Sequence, residues 1–279
     1  MKHDFQRLSR LLEEEYKIVR YPSFKVWKDR LNQPITKKYT VSICTTVMNR
    51  LGDIKRTLPA NMKHNEAYPG VEFVILDYNS TDGLGAYIRS HFDRHIKRGL
   101  LSYYRTEEPK YFDMSHSRNI AFKVARGEIV NNVDADSYTR KGFAAMINKL
   151  ANHCPKKAMF AKSRQLLRGR LGFYKKDFVE LLGGYDESLR FYGHDDQDLM
   201  TRAWELSFTM MPVRGKFYGC VQDHVKHQSD NYPQDHWVSE HRNRFWSYAK
   251  LTMGIFKANE GKHWGKAKLV KNFEEEIVI

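Results

Sequence analysis

The sequence is short of cysteine and has no long apolar run. Its three cysteines, Cys44, Cys154 and Cys220, are odd in number and widely spaced, which argues against a disulfide framework and favours a reducing compartment. No segment approaches the roughly 18 consecutive apolar residues that a membrane-spanning helix needs. The first residues also lack the apolar core of a secretory signal. We therefore expect a cytoplasmic protein.

The chain also lacks the residue patterns of common nucleic-acid-binding proteins. It has no zinc-finger spacing, helix-turn-helix pattern or RNA-binding motif, so nucleic acid is not an expected partner. Its charge is nevertheless strongly basic, with 47 Lys and Arg against 33 Asp and Glu and a formal net charge of +14. Such an excess favours anionic partners, including phosphorylated small molecules and acidic lipid head groups.

The most basic stretch is residues 156–176, which contain eight basic residues and no acidic one. Lys162 and Arg164 are candidates to face a diphosphate. For most of the other basic residues, a solvated or membrane-facing surface is the simpler explanation.

Apolar runs alternate with amphipathic stretches through the first half of the chain. Strands are predicted at 39–47, 71–76 and 100–105 and just before Asp134, and helices at 51–62, 84–95 and 115–125, the last of them ended by Gly127 as a C-cap. This alternation predicts an α/β fold with a mostly parallel sheet and helices on both faces. The length of 279 residues is enough for one such domain with appendages.

The pattern becomes looser after residue 137, which predicts a mixed second half. Helices are predicted at 141–151, at 177–182 and up to about 205, and strands at 158–161 and 171–174. We expect a helical N-terminal appendage at 1–38, a central domain at 39–232 with halves 39–137 and 138–232, and a helical, basic and aromatic C-terminal extension at 233–279.

Two carboxylates follow the fourth predicted strand, at Asp134 and Asp136. Alternate residues of a strand point to the same side, so both acids are expected to face one site beyond the end of the strand. Oxygen ligands of this kind suit Mg²⁺ or Mn²⁺ beside a phosphate. A solvated Asp-Ala-Asp turn explains the same residues.

Asp77, Asn79 and Asp82 follow the second predicted strand in a similar position. Their side chains are suited to accept hydrogen bonds from a nucleobase or a ribose hydroxyl, although an Asx turn needs the same residue types.

A denser acidic cluster runs from His194 to Asp198. Neighbouring carboxylates raise one another's pKa, and one held near a hydroxyl can act as a general base. The same acids are also favoured at a helix N-terminus. His224 and His227 lie three residues apart, and imidazole at that spacing suits Mn²⁺ better than Mg²⁺, although most single histidines are not ligands.

Taken in order, these segments resemble the family 2 glycosyltransferases, which have the GT-A fold. The resemblance rests on five segments between residues 40 and 230: 45–50, 77–83, 117–128, 134–136 and 183–202. The last of them resembles the acceptor-side motif of animal galactosyltransferases. The chain departs from that motif at Tyr192 and His194, where the relatives have Trp and Gly.

The resemblance implies an inverting, metal-dependent transfer of a sugar to a hydroxyl, with Asp196 as the catalytic base. It implies Mn²⁺ or Mg²⁺ bound by Asp136 and His227, with His224 as a further ligand. Asp195 would lie beside the base, and Tyr192 and His194 would line the sugar or acceptor pocket. The implied nucleotide-sugar site comprises Thr45, Asn49, Arg50, Asp77, Asn79, Asp82, Arg118 and Asp134.

The expected partners are a nucleotide-sugar donor and a glycan or lipid-linked acceptor, with UDP favoured by the habits of the family. The donor half would be 39–137 and the acceptor half 138–232, and peripheral contact with the inner face of a membrane is a further expectation. Two other readings remain open: a nucleotidyl- or pyrophosphoryl-transferring enzyme on a similar fold, and a basic membrane- or polyanion-binding module. The loop at 45–52 has one Gly and one Arg, which argues against the first of these.

Overall fold

The computed structural model describes residues 34–154, 156–162, 170–221 and 229–279. Residues 1–33 of the predicted helical appendage lie outside the described residues, as do Arg164, His224 and His227.

A nine-stranded mixed sheet forms the centre of the molecule. Its strand order is β11-β10-β3-β2-β1-β4-β7-β6-β8, and β5 and β9 form a separate two-stranded sheet. The strands are β1 Val41–Val47, β2 Val71–Tyr78, β3 Leu101–Thr106, β4 Ile129–Asn132, β5 Ser137–Thr139, β6 Ala158–Lys162, β7 Leu171–Tyr174, β8 Thr209–Val213, β9 Tyr218–Cys220, β10 Lys268–Lys271 and β11 Glu275–Val278.

Seven α-helices accompany these strands in the described part of the chain. They are α1 Leu51–Asn65, α2 Leu84–Lys97, α3 Met114–Val124, α4 Phe143–His153, α5 Lys175–Glu180, α6 Asp195–Glu205 and α7 His236–Thr252. Short 3₁₀ turns at Gly215–Phe217 and Ser229–Asn231 complete the described elements.

The first half of the sheet is parallel, as the alternating pattern predicts. β1 pairs in parallel with β2 and with β4, and β2 pairs in parallel with β3. In the second half, β7 pairs antiparallel with both β4 and β6, while β6 and β8 are parallel. The predicted fold class is therefore confirmed. The carboxyl ends of β1, β2 and β4 meet along one edge, where ligands of open α/β sheets bind.

Apolar helix faces cover both sides of the sheet. One core contains Ile54, Leu58 and Ile88 from α1 and α2 together with Phe143 of α4. The other contains Phe122, Phe178 and Leu199, from α3, α5 and α6. β1 and β2 are buried along their whole length, including polar residues such as Ser42, Glu72 and Asp77.

Three details differ from the sequence prediction. β2 continues through Asp77 and Tyr78, because both side chains pack into the interior instead of forming a turn. Gly127 is not a left-handed cap of α3. It is required by close packing, since a Cβ there would lie 2.3 Å from Ser42 Oγ. The segment after α7 is not only helical, because β10 pairs antiparallel with β3 and, with β11, extends the main sheet.

Candidate functional site

Arg118 of α3 lies at the centre of the candidate site. Its guanidinium is almost completely buried and contacts three carboxylates. Nη2 donates to Asp134 Oδ1 at 3.0 Å, and Nη1 donates to Asp196 Oδ1 at 3.0 Å and to Asp195 Oδ2. One cation therefore joins the acid after β4 to the two acids that begin α6. These residues are 16 to 78 positions apart in the chain.

Neighbouring side chains hold these carboxylates in place. Asn132 Nδ2 donates to Asp134 Oδ1 at 2.9 Å, and the Tyr185 hydroxyl lies 3.3 Å from Asp196 Oδ1. The Arg118 guanidinium also lies over the Tyr185 ring, 5.5 Å from its centroid. About a third of the Asp134 side chain remains exposed, so a ligand can reach that side of the cluster.

The two α6 acids are strongly desolvated. Burial, reinforced by the charge of Asp196, raises the pKa of Asp195 to about 7, although Arg118 acts in the opposite direction. The pair carries two acids against one guanidinium that it shares with Asp134. We therefore expect one proton to be held by this pair near neutral pH.

Asp198 has a different role from its two neighbours. It is buried and pairs with Arg202 at 2.7 Å, and it accepts a hydrogen bond from Ser247 of α7 at 2.8 Å. Arg202 also donates to the carbonyl groups of Leu182 and Gly184. Asp198 thus fastens α6 to α7 and to the preceding loop.

A second cluster surrounds Asp136, between two arginines. Ser137 Oγ donates to Asp136 Oδ1 at 3.0 Å and accepts from Arg170 Nη2 at 2.8 Å. On the other side, Arg50 Nη2 lies 3.7 Å from Asp136 Oδ2. Arg50 Nη2 and Arg170 Nε are buried and have no hydrogen-bond partner among the described residues. Unsatisfied guanidinium nitrogens beside an accessible carboxylate are suited to bind an anion such as a phosphate.

The two acids after β4 are not related by strand periodicity. β4 ends at Asn132, so Asp134 and Asp136 lie in the turn beyond it. Asp134 contacts Arg118, whereas Asp136 contacts Ser137 and Arg50. The expected common orientation is thus replaced by two adjacent clusters.

Asp77 is completely buried, and its carboxylate is already paired. It accepts from the Tyr103 hydroxyl at 2.5 Å, from Arg105 Nη1 at 2.8 Å and from the Ser80 amide at 2.7 Å. Thr45 is also buried, and its hydroxyl donates to the Val133 carbonyl at 2.8 Å. In this structure both side chains shape the floor of the site.

The remaining polar residues of this edge fasten its loops together. Asn49 Oδ1 accepts from the Thr81 amide at 2.8 Å, and Asn79 Nδ2 donates to the Pro109 carbonyl at 2.9 Å. Asp82 Oδ2 accepts from the Leu51 amide at 2.7 Å, so it caps α1 from a neighbouring loop. Asn49 and Asn79 both have positive φ angles, of 53° and 64°, in accord with the tolerance of Asn for that region.

The loop before α6 is held by α7. Phe191, Gly193 and His194 have φ angles of 66°, 86° and 66°. Asn243 of α7 donates through Nδ2 to the carbonyls of Arg190, Tyr192 and Gly193, at 3.0, 3.2 and 2.9 Å. These bonds stabilise a backbone that would otherwise be unfavourable for residues with a Cβ.

The two side chains predicted to line the pocket point in different directions. Tyr192 stacks on His236 with the ring centroids 4.1 Å apart, and Tyr232 packs edge-on against both rings. His194 packs against Tyr248 of α7, and burial lowers its pKa to about 3.

The donor chemistry of Asp136 fits a hard divalent cation. About 29% of its side chain is exposed, and its Oδ2 lies 3.7 Å from Arg50 Nη2. Within the described ranges, no three His, Cys, Asp or Glu side chains are grouped to hold a metal ion. The predicted ligands His224 and His227 fall outside those ranges.

Sequence reasoning missed several residues that the fold brings to this region. Arg170 was treated as part of a basic surface, and Tyr232, His236 and Asn243 belong to the predicted extension or its boundary. No local pattern distinguishes them, because their neighbours in the site come from distant parts of the chain.

The model of the family described as Glycosyl transferase family 2 matches residues 42–163. This range runs from the second residue of β1 through β6 and includes Arg118, Asp134 and Asp136. The matched residues include four of the five segments on which the resemblance to family 2 glycosyltransferases rests. A comparison with curated proteins found no match.

Solved structures with a similar fold include three kinds of transferase. Mannosyltransferase PcManGT from Pyrobaculum calidifontis, in complex with GDP-Man and Mn²⁺, is 22% identical with a TM-score of 0.56, over 80% of this chain and 70% of that chain. GalNAc-T7 with UDP, GalNAc and Mn²⁺ is 16% identical with a TM-score of 0.57, over 70% and 45%. TarS 1-349 from S. aureus, with UDP-GlcNAc, is 15% identical with a TM-score of 0.55, over 76% and 71%.

At these identities the similarity establishes the fold, which is the GT-A fold expected from the sequence. The chain spans less than half of the GalNAc-T7 chain and about 70% of the other two. The resemblance of residues 183–202 to animal galactosyltransferases stays a prediction.

Proposed function

We propose that the protein is an inverting, metal-dependent glycosyltransferase. It transfers a hexosyl or N-acetylhexosaminyl group from a nucleotide sugar, with UDP favoured, to a hydroxyl of a glycan or glycolipid. The nucleotide sugars and Mn²⁺ named for the structural neighbours support this donor class.

The observation that carries the proposal is the contact of Arg118 with acids from both halves of the domain. Asp134 follows β4 of the donor half, and Asp195 and Asp196 begin α6 of the acceptor half. An enzyme that joins a donor sugar to an acceptor hydroxyl needs both halves to present groups to one point.

Arg50 and Arg170 are suited to bind the diphosphate of the donor. Arg50 Nη2 and Arg170 Nε are buried beside the Asp136 cluster and have no hydrogen-bond partner among the described residues, and a guanidinium forms charge-assisted hydrogen bonds with phosphate oxygens. Asp136 is the described residue best suited to hold Mn²⁺ or Mg²⁺, and His227 and His224 remain proposed ligands. When bound, such an ion would neutralise the charge that develops on the leaving diphosphate.

Asp196 is the proposed general base, with Asp195 beside it. Its carboxylate accepts the proton of the acceptor hydroxyl, whose oxygen forms a bond to the anomeric carbon. The bond from that carbon to the diphosphate oxygen breaks, and the nucleoside diphosphate leaves with the electron pair. Attack from the opposite face inverts the configuration. Arg118 orients Asp196, because it donates directly to Oδ1.

The donor class is tested by thermal denaturation of the full chain with UDP, GDP, CMP or dTDP, each with and without Mn²⁺. A ligand present at about a hundredfold excess over its Kd stabilises the folded state by about 2.7 kcal/mol, which is readily measured. We expect stabilisation by one nucleotide that depends on Mn²⁺. Absence of any effect with all four nucleotides would contradict the proposed donor site.

The role of Asp196 is tested with Asp196→Asn. Loss of the base should lower the transfer rate by about 10²–10⁴-fold while nucleotide binding is retained. Asp93→Asn is the control, since Asp93 pairs with Lys97 on the outer surface of α2 and should have unchanged activity. Full turnover by Asp196→Asn would exclude it as the base.

A further inference from the structure

Several large apolar side chains of α7 are exposed on the surface of the protein. Trp237, Val238 and Trp246 are 41%, 47% and 51% exposed, and Met253 at the end of the helix is 73% exposed. At 3.6 residues per turn, Trp237 and Trp246 lie at the two edges of an arc of about 180°, and Val238, His241, Arg242, Phe245, Ala249 and Met253 lie between them. We call this set the α7 outer face. Large apolar side chains grouped in this way mark an interaction surface.

The charge of the α7 outer face is of one sign. The helix contains a single acid, Glu240, which lies off this face and pairs with Arg244 at 3.0 Å. Arg242 lies on the face, with its guanidinium anchored to the Arg190 carbonyl at 3.1 Å. Asp235, which precedes the helix, caps the Trp237 amide.

The opposite face of α7 is fastened to the candidate site. Asn243 binds the carbonyls of the loop before α6, and Ser247 binds Asp198. A helix is about 10–12 Å across, so the α7 outer face lies roughly that distance from the Tyr192 loop. A surface that contacts α7 is therefore held next to the acceptor half of the site.

We propose that the α7 outer face docks the protein on an anionic lipid bilayer. Trp, Phe, Val and Met side chains beside Arg form the composition of a helix that lies in the plane of a membrane interface. The tryptophans would insert their rings at the level of the head groups, where an amphipathic aromatic ring is most stable.

Charge favours a lipid bilayer over a second copy of this chain. The chain carries a formal charge of +14, which two copies would both bring to a shared interface. An anionic bilayer complements that charge, and each basic residue near its surface contributes to binding. No helix in the described part of the chain is long and apolar enough to cross a membrane.

The docking is tested by co-sedimentation of the full chain with two kinds of vesicle. One contains phosphatidylcholine and phosphatidylglycerol, and the other contains phosphatidylcholine alone. We expect binding to the anionic vesicles that weakens as salt is raised, because the Debye length falls from about 10 Å at 0.1 M to about 3 Å at 1 M.

The matched variants distinguish binding through the α7 outer face from nonspecific adsorption to vesicles. Replacing Trp237 and Trp246 by Ser should weaken vesicle binding by about tenfold or more, since both lose apolar surface that inserts. The control is Val278→Ser, because Val278 is 78% exposed on β11, away from α7. Brominated lipid should quench tryptophan fluorescence in the wild type and much less in the double variant.

Three results would overturn the proposal. They are no binding to anionic vesicles, equal binding by the wild type and the Trp237→Ser/Trp246→Ser variant, and a concentration-dependent dimer that the double variant abolishes. The last would assign the face to a second copy. Circular dichroism must show that the double variant is folded, which is expected because both side chains are exposed.

The vesicle assay uses neither donor nor acceptor, so its outcome is independent of the proposed enzyme activity. If both hold, the acceptor is a glycan on a lipid, because the bilayer is brought beside the Tyr192 loop. This extension rests on the proposed function. It predicts that the Trp237→Ser/Trp246→Ser variant loses activity on a vesicle-borne acceptor and keeps it on a detached, soluble one.

Discussion

Replacing Arg118 by Met tests whether one buried cation holds the two halves of the site together. Arg118 is 3% exposed and contacts Asp134, Asp195 and Asp196. Met has a similar length and no charge, so the substitution removes the guanidinium with little loss of volume. The carboxylates would then be left buried without their cation, which is strongly unfavourable.

The expected loss of stability is large for a single substitution. Removing one partner of a buried ion pair costs about 3–5 kcal/mol. At about 2–4 °C per kcal/mol, this corresponds to a fall of about 6–20 °C in Tm. The loss should depend on pH, since protonation of the carboxylates relieves their repulsion. The difference between Arg118→Met and the wild type should therefore increase from pH 5 to pH 8.

The sign of this dependence follows from Asp195. Burial raises its pKa to about 7, above its usual value of 3.8, so the folded state binds a proton that the unfolded state releases. Its contribution to stability is present below pH 3.8 and is lost as the pH rises through about 7. Without Arg118 the pKa rises further, and the loss at neutral pH becomes larger.

Thermal denaturation across this pH range measures the effect. Lys176→Met is the control, because Lys176 is 78% exposed and its pair with Glu180 should contribute less than about 1 kcal/mol. Adding Asp195→Asn to Arg118→Met should restore part of the stability, since it removes one uncompensated charge. A pH-independent loss, or no rescue by Asp195→Asn, would refute this account of the cluster.

Two further predictions concern the neighbouring residues. Arg170→Met should weaken binding of the nucleoside diphosphate by about tenfold or more, because a hydrogen bond to a charged group contributes about 1.5–3 kcal/mol. The control is Arg214→Met, at an exposed site, which should leave binding unchanged. Calorimetry with UDP compares the affinities of the two variants. Burial lowers the pKa of His194 from its usual 6.5 to about 3, so the wild type should lose stability as the pH falls below 6.5. His194→Asn should lose less stability over this range, because Asn does not titrate there and tolerates the positive φ of this position. Urea denaturation at pH 7 and pH 5 measures both losses, and an equal loss in the two proteins would contradict this explanation.

The sequence predicted the elements of the fold closely. The strand predicted at 171–174 lies at Leu171–Tyr174, and the helix predicted to reach 205 ends at Glu205. Helix α1 runs three residues beyond its predicted end at 62, because Asn61 and Asn65 are buried and hydrogen-bonded to Thr139 of β5. A polar residue reads as surface until the partner that satisfies it is known.

The order of the site segments could also be predicted, but their contacts could not. The family match covers β2 and β4, at whose carboxyl ends the sequence predicts the polar residues of the site. Asp77 was expected to meet a nucleotide, whereas in this structure its carboxylate is bound by Tyr103 and Arg105 of the adjacent strand. Cross-strand partners depend on the pairing of β2 with β3, which no local pattern reveals.

The sequence by itself determined the alternation of strands and helices, the α/β class and the acids that follow β4 and begin α6, because hydrophobic periodicity and turn chemistry are local properties, and the resemblance of five segments to family 2 glycosyltransferases added the GT-A fold. Only the tertiary structure decided that Asp134, Asp195 and Asp196 share Arg118, and that Asp136 belongs to a separate cluster. These residues are far apart in the chain. They meet because the sheet order and the attachment of α6 to α7 bring them to one edge of the sheet. At that edge, the burial of each side chain depends on its neighbours, and their charges determine its electrostatic environment.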